Sequence, residues 1–315
     1  MVVRQSNIAV LWPTFCLLFF LLLGGSFWAQ AQDAVSVLKA KTMVGNAAVN
    51  DAAEGTLQAF TFARNLIFFP AQVNGQKGNF ILDTGAPTLL LNNRGVDDGF
   101  STSLGVASGG AVALTNQRVE SFQMAGEDHG RIWALTLDLR SLEARMNQEI
   151  DGFVGHEMLR NGELRIDYPN RTFQLRKSTR FPLNEGAAPR MVFRIEFVDH
   201  LPVITLKSGK RKLRFAIDTG AGANLIDARH AGLLEDTGTK MNIQGLDGTN
   251  ADYSIVRLLQ KPSEFTDAAA LQFLSLDLSH LQNPQETLID GLLGSAFLSK
   301  YIVGIDYRRR RLYLW

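Results

Sequence analysis

Cysteine is almost absent: the 315 residues hold one, Cys16, inside an apolar N-terminal stretch. Pro13, Thr14 and Phe15 precede it, so it lacks the small residues that lead into a lipid-modified cysteine. If that stretch is removed on export, the remaining chain has neither disulfides nor a thiol nucleophile, and burial must supply its stability. Net charge is equally scant, at +1. That balance gives no general attraction for polyanions, so no nucleic-acid partner is expected. The short basic run Arg308 to Arg311 reads as a solvated strand edge. Histidine is sparse too: His129, His156, His200, His230 and His280 are scattered, none at zinc-ligand spacing. No metal or other cofactor is therefore expected.

Long apolar runs are confined to the first 31 residues. Arg4 supplies a positive start, Phe15 to Leu23 is unbroken apolar sequence, and Ala29-Gln30-Ala31 offers small residues at a cleavage position. Residues 1–31 read as a secretory signal peptide, which places the protein outside the cytoplasm, periplasmic or secreted. The rival reading is an uncleaved membrane anchor over residues 8–28, close to the roughly 20 apolar residues a spanning helix needs. Cleavage leaves a chain with basic and acidic residues in balance and no stable membrane association. Residues 32–56, rich in Ala, Asn and Asp with weak periodicity, read as a leader or flexible segment.

From Thr56 onward the texture changes. With 46% hydrophobic residues and 28 glycines, recurrent apolar runs broken by turn residues predict an all-β fold. Leu66 to Phe69 and Asn79 to Leu82 flank an Asn74-Gly75 turn, the pattern of a β-hairpin whose second strand runs directly into Asp83. Residues 131–146 suit a strand followed by a short helix. Two glycine-bearing stretches, residues 101–111 and 242–250, suit hairpins open to solvent.

One phrase occurs twice: Phe80-Ile-Leu-Asp83-Thr84-Gly85-Ala86 and Phe215-Ala-Ile-Asp218-Thr219-Gly220-Ala221. An apolar strand that delivers a carboxylate onto a glycine turn is costly to bury alone, so two copies imply that each carboxylate partners the other. The repeat extends further. Residues 150–176 align with 289–315 at a constant offset of 139, with 10 identities in 27 positions. Roughly two would be expected by chance. The offset around the Asp-Thr-Gly phrases is 135, which places four extra residues in a loop of the second copy. Two copies of this length mean a duplicated domain, with residues 57–178 and 190–315 as the halves and 179–189 as linker.

Asp-Thr-Gly-Ala after an apolar strand, followed downstream by Phe153-Val154-Gly155 in one half and Leu292-Leu293-Gly294 in the other, resembles the aspartic peptidases of the pepsin and retropepsin clan. The resemblance is closest to the retropepsin-like branch, here with two repeats fused in one chain, and it covers both halves. It implies a bilobal pepsin-like arrangement of two β-barrel lobes with short helices, and an endopeptidase that works as a monomer with an internal pseudo-twofold. Asp83 and Asp218 would be the catalytic dyad, one per lobe. Thr84 and Thr219 would interlock across the site. Gly85 and Gly220 would let the backbones approach closely. Ala86 and Ala221 stand where pepsin-like enzymes often carry a hydroxyl that stabilises the ionised carboxylate. The lack of that hydroxyl points to an optimum at about pH 5 to 6 rather than an extreme acid one. Substrate would be an extended polypeptide held under one or two hairpins. A peptide-binding protein on the same scaffold, without turnover, is the alternative. For Asp151 and Asp290, before buried strands, the plainer reading is a turn role.

Overall fold

The computed structural model describes residues 55–95, 103–107, 110–244, 250–265, 271–279 and 289–315. The expected signal, the alternative anchor over 8–28 and nearly all of the 32–56 segment lie outside the described residues, as do the tips of the two glycine-bearing hairpins. The described chain is mainly β, in three sheets with only short helices.

The first hairpin forms where the apolar runs meet the Asn-Gly turn. Leu66–Val73 pairs antiparallel with Gln76–Leu82, with Val73 opposite Gln76. Both turn residues take left-handed backbone, Asn74 at φ 49° and Gly75 at φ 79°, as a tight two-residue hairpin requires. The Asn74 side chain also accepts the backbone N–H groups of Glu120 (2.8 Å) and Ser121 (3.1 Å), so the turn anchors the connection between Gly110–Val119 and Phe122–Met124. In the second half Leu201–Ser208 and Arg211–Ile217 form the equivalent hairpin.

The strand that ends at each Asp-Thr-Gly is locked from the side by the downstream apolar-apolar-Gly element. Gly152–Val154 runs parallel to Gln76–Leu82 and antiparallel to Leu90–Asn92. Gly291–Leu293 runs parallel to Arg211–Ile217 and antiparallel to Leu225–Asp227 in the same way. These strands belong to a ten-stranded sheet built from the first half and an eight-stranded sheet built from the second. The third sheet, six-stranded, draws on both. Its central pair is Glu163–Asp167 against Ile302–Asp306, the two copies of the Ile-Asp-Tyr repeat, with Arg165 opposite Gly304. The chain between Arg176 and Met191, which includes the expected linker, holds only an isolated bridge between Asn184 and Ala187.

Strand alternation divides the apolar side chains between a shared core and two private ones. Phe80 and Leu82 point into the cluster that Ile166, Phe173, Val303 and Ile305 of the six-stranded sheet also fill. Ile81, between them, points the other way into a cluster made only of first-half residues. In the second half Phe215 and Ile217 enter the shared core while Ala216 enters a second-half cluster. This is the period of two expected of a strand buried on both faces. Each fully buried Phe contributes about 1.5–3 kcal/mol, and both strands that carry an aspartate are bound to the shared core by one.

Asp151 and Asp290 do not lie in turns as expected; each is the residue directly before a buried strand, Gly152–Val154 or Gly291–Leu293. Each accepts a backbone N–H from the strand that leads to Asp83 or Asp218: Asn79 donates to Asp151 Oδ2 (2.7 Å) and Arg214 to Asp290 Oδ2 (2.7 Å). Asp167 and Asp306 sit at strand ends and accept from Asn170 (2.9 Å) and Arg309 (2.8 Å) in the following turns.

Candidate active site

The strands Gln76–Leu82 and Arg211–Ile217 end side by side, and the two Asp-Thr-Gly-Ala loops that follow face each other. All eight residues singled out in the sequence lie in these loops, and all of those other than glycine are buried: Asp83, Thr84 and Ala86 on one side, Asp218, Thr219 and Ala221 on the other. Gly85 and Gly220 sit at the point of closest approach. A Cβ on Gly85 would lie 2.8 Å from the Asp218 carboxyl carbon, and one on Gly220 would lie 2.4 Å from that of Asp83. Neither position has room for a side chain, so the opposite carboxyl fills the space.

Each threonine bonds twice across the junction. Thr84 Oγ1 donates to the Ile217 carbonyl (2.8 Å) and accepts the Thr219 backbone N–H (3.0 Å). Thr219 Oγ1 donates to the Leu82 carbonyl (2.8 Å) and accepts the Thr84 backbone N–H (3.0 Å). Four buried hydrogen bonds thus fix one loop against the other. Behind them the loops are clamped to the one-turn helices that follow the apolar-apolar-Gly elements. The His156 N–H donates to the Ala86 carbonyl (2.9 Å) and the Ser295 N–H to the Ala221 carbonyl (2.8 Å).

The carboxyls have one committed and one free oxygen each. Gly85 N–H donates to Asp83 Oδ1 (2.8 Å) and Gly220 N–H to Asp218 Oδ1 (2.9 Å). Both Oδ2 atoms are buried without a hydrogen-bond partner in the protein. Burial raises the Asp83 pKa to about 7, against the pull of the Gly85 N–H and its other donors. Asp218 is held well above the usual carboxylate range, first by burial and then by the negative charge of Asp83 beside it. Two carboxyls that resist ionising together retain a proton between them, the condition for one to act as acid while the other acts as base. The methyl groups of Ala86 and Ala221 offer no hydroxyl to the dyad; they belong to the private cores of their own halves.

Two antiparallel hairpins correspond to the glycine-bearing stretches. Ser103–Ala107 pairs with Gly110–Val119, and Leu234–Gln244 with Asn250–Leu258. Tyr253 stands opposite Met241, and both pack against the second-half cluster that contains Ala221.

Three contacts were not read from the sequence. Asn65 Nδ2 donates to the Gly222 carbonyl (2.9 Å), and the His200 ring bonds the Gly85 carbonyl through Nε2 (2.8 Å). The two donors are 135 apart, the offset of the Asp-Thr-Gly phrases, so that offset carried the missed signal. The third is a buried ion pair in the six-stranded sheet, where Arg165 Nη2 lies 2.6 Å from Glu163 Oε1 and the guanidinium covers the Trp315 ring at 4.2 Å. No protein-family model matches the chain, and no curated protein matches it.

Proposed function

We propose that the protein is an aspartic-type endopeptidase, with Asp83 and Asp218 as its catalytic pair. The observation that carries this reading is the meeting of two buried carboxyls on interlocked Asp-Thr-Gly loops from opposite halves. A water held between the free Oδ2 atoms would lose a proton to the ionised carboxyl as its oxygen bonds the scissile carbonyl carbon. The neutral carboxyl would give its proton to the carbonyl oxygen. Collapse of the tetrahedral diol returns a proton to the leaving nitrogen and breaks the C–N bond. No cofactor enters these steps.

On this reading the two halves are lobes of a bilobal pepsin-like fold, residues 57–178 and 190–315, joined by 179–189. The supporting features are the repeated strand pattern around each aspartate and the six-stranded sheet to which both halves contribute. Substrate is an extended polypeptide laid across the dyad beneath the two hairpins. The protein acts as a monomer, exported with the help of residues 1–31. The upward direction of both carboxyl shifts supports activity in mild rather than extreme acid.

The test is cleavage of an unstructured protein across pH 3 to 7 by the native chain, Asp83→Ala and Asp218→Ala. Native cleavage that disappears in both variants is expected. Absence of cleavage sinks the reading and favours a peptide-binding protein; cleavage that survives either change rejects the Asp83–Asp218 pair as its source. A rate profile that peaks near pH 2 contradicts the pH assignment alone.

A further inference from the structure

The two private cores end differently toward the dyad. The first-half core contains Ala86 and the second-half core contains Ala221, so each reaches the loop that carries its own aspartate. Among the described residues, a single half-buried apolar side chain, Ala63, packs on the first-half core. Five pack on the second: Val198, Ala223, Met241, Tyr253 and Ile255.

These five are tied to the Asp218 loop or to the second hairpin. Ala223 lies in the loop itself, two residues beyond Ala221. Val198 pairs with Leu201, and the turn between them reaches the Gly85 carbonyl through His200. Met241 and Tyr253 stand opposite each other in the hairpin. Ile255 lies opposite Leu274, whose N–H donates to the Asn224 carbonyl (2.9 Å) at the end of the same loop.

The duplication shows what the first half has instead. Asn116 lies opposite Leu135 as Ile255 lies opposite Leu274, at the offset of 139, so asparagine stands where the second half has isoleucine. The same offset sets Tyr253 against Leu114, which is fully buried. The offset of 135 sets Ala223 against Thr88, whose hydroxyl donates to Glu157 (2.8 Å), and Val198 against the smaller Ala63. One side of the junction is therefore rimmed by large, half-exposed apolar groups and the other by small or polar ones.

An extended peptide points successive side chains to opposite sides, so the two residues that flank a scissile bond meet different halves. We propose that the second half forms an apolar subsite, with Met241, Tyr253 and Ile255 as specificity-determining residues, and that the polypeptide cleaved carries a large aromatic or aliphatic residue on that one side of the scissile bond. The first half, with Thr88 and Asn116 in the equivalent places, receives a small or polar residue on the other side. The inference rests on the proposed peptidase reading for its expression in cleavage, but not for its expression in peptide binding.

The test exposes a diverse peptide mixture to the native chain and reads the residues on both sides of every cut by mass spectrometry. Phe, Tyr, Leu and Met should exceed Ser and Asn at least about tenfold on one side of the bond and not on the other. Ile255→Asn and Asn116→Ile exchange the equivalent residues. The first should weaken the preference on the apolar side at least about threefold and leave the other side as it was, and the second should create an apolar preference on the other side. Equal preferences on the two sides overturn the proposal, as does an apolar preference that neither Ile255→Asn nor Tyr253→Ser alters. If those two variants fail to fold, Asn116→Ile decides, and an unchanged preference there overturns it. If the native chain cleaves nothing, the peptidase reading falls and binding decides the subsite by itself. Peptides with a reduced CH2–NH bond at their centre, carrying Phe or Ser on either side of it, should then show Phe favoured at least about tenfold at one position only. No binding, or equal affinities at both positions, overturns the subsite.

Discussion

Replacing Thr84 by valine keeps the shape of a fully buried side chain and removes one hydroxyl. Two hydrogen bonds go with it: the Thr219 N–H loses its acceptor and the Ile217 carbonyl loses a donor. A buried N–H left unsatisfied costs about 1–3 kcal/mol, and the lost donor to a carbonyl adds about 0.5–1.5 kcal/mol. The single change should therefore destabilise the protein by roughly 2–4 kcal/mol. The mirror-image Thr219→Val removes the equivalent bonds and should cost the same. The two hydroxyls hold one junction, so the double variant should lose less than the sum of the singles, by about 0.5 kcal/mol or more. Urea unfolding gives these values from the midpoint and slope. Thr84→Ser is the control: it keeps the hydroxyl and should lose only about 1 kcal/mol for the buried methyl. A Thr84→Val protein within about 0.5 kcal/mol of native, or a serine variant as damaged as the valine one, would refute the argument that these bonds hold the junction.

Gly220→Ala places a methyl 2.4 Å from the Asp83 carboxyl carbon, well inside the ~3.5 Å of ordinary carbon contact, so the carboxyl must retreat by about 1 Å. A displacement of that size should lower kcat/KM on the order of 100-fold, and a variant with native kinetics would contradict the close approach. Arg165→Met leaves Glu163 buried without its partner, and should cost about 3–5 kcal/mol at pH 7. Glu163 already has its pKa raised by burial, so without Arg165 it takes up a proton more readily still. A raised carboxyl gains stability as pH falls, so the deficit in thermal midpoint should be smaller at pH 4 than at pH 7; an equal deficit at both would count against an uncompensated charge.

The elements that position the dyad were legible because local chemistry and duplication agree. Asn74-Gly75 between two apolar runs specifies a tight hairpin, and the alternation of Phe80, Ile81 and Leu82 specifies a strand buried on both faces. The repeat at an offset of 139 pointed to Gly152–Val154 and Gly291–Leu293 as equivalent elements, and they occupy equivalent registers. What escaped is what depends on contacts between the halves. A strand pattern says which face is apolar, not which distant strand lies beside it, so the pairing of Glu163–Asp167 with Ile302–Asp306 was not readable. Glu163 and Arg165 lie in that pairing and are buried there. Asn65 and His200 were missed for a related reason: each lies in a short turn whose partner carbonyl is over a hundred residues away.

The central claim is that Asp83 and Asp218 hold one proton between them across the junction, and carboxyl titration tests it most directly. With aspartate Cγ labelled by carbon-13, NMR spectra recorded from pH 3 to pH 8 should contain a carboxyl that titrates above pH 6, as burial and the paired charge require. That resonance should vanish in Asp83→Asn and shift in Asp218→Asn, because its position depends on both groups. Spectra in which every aspartate titrates below about pH 5, or in which the high resonance persists unchanged in both variants, would contradict the account.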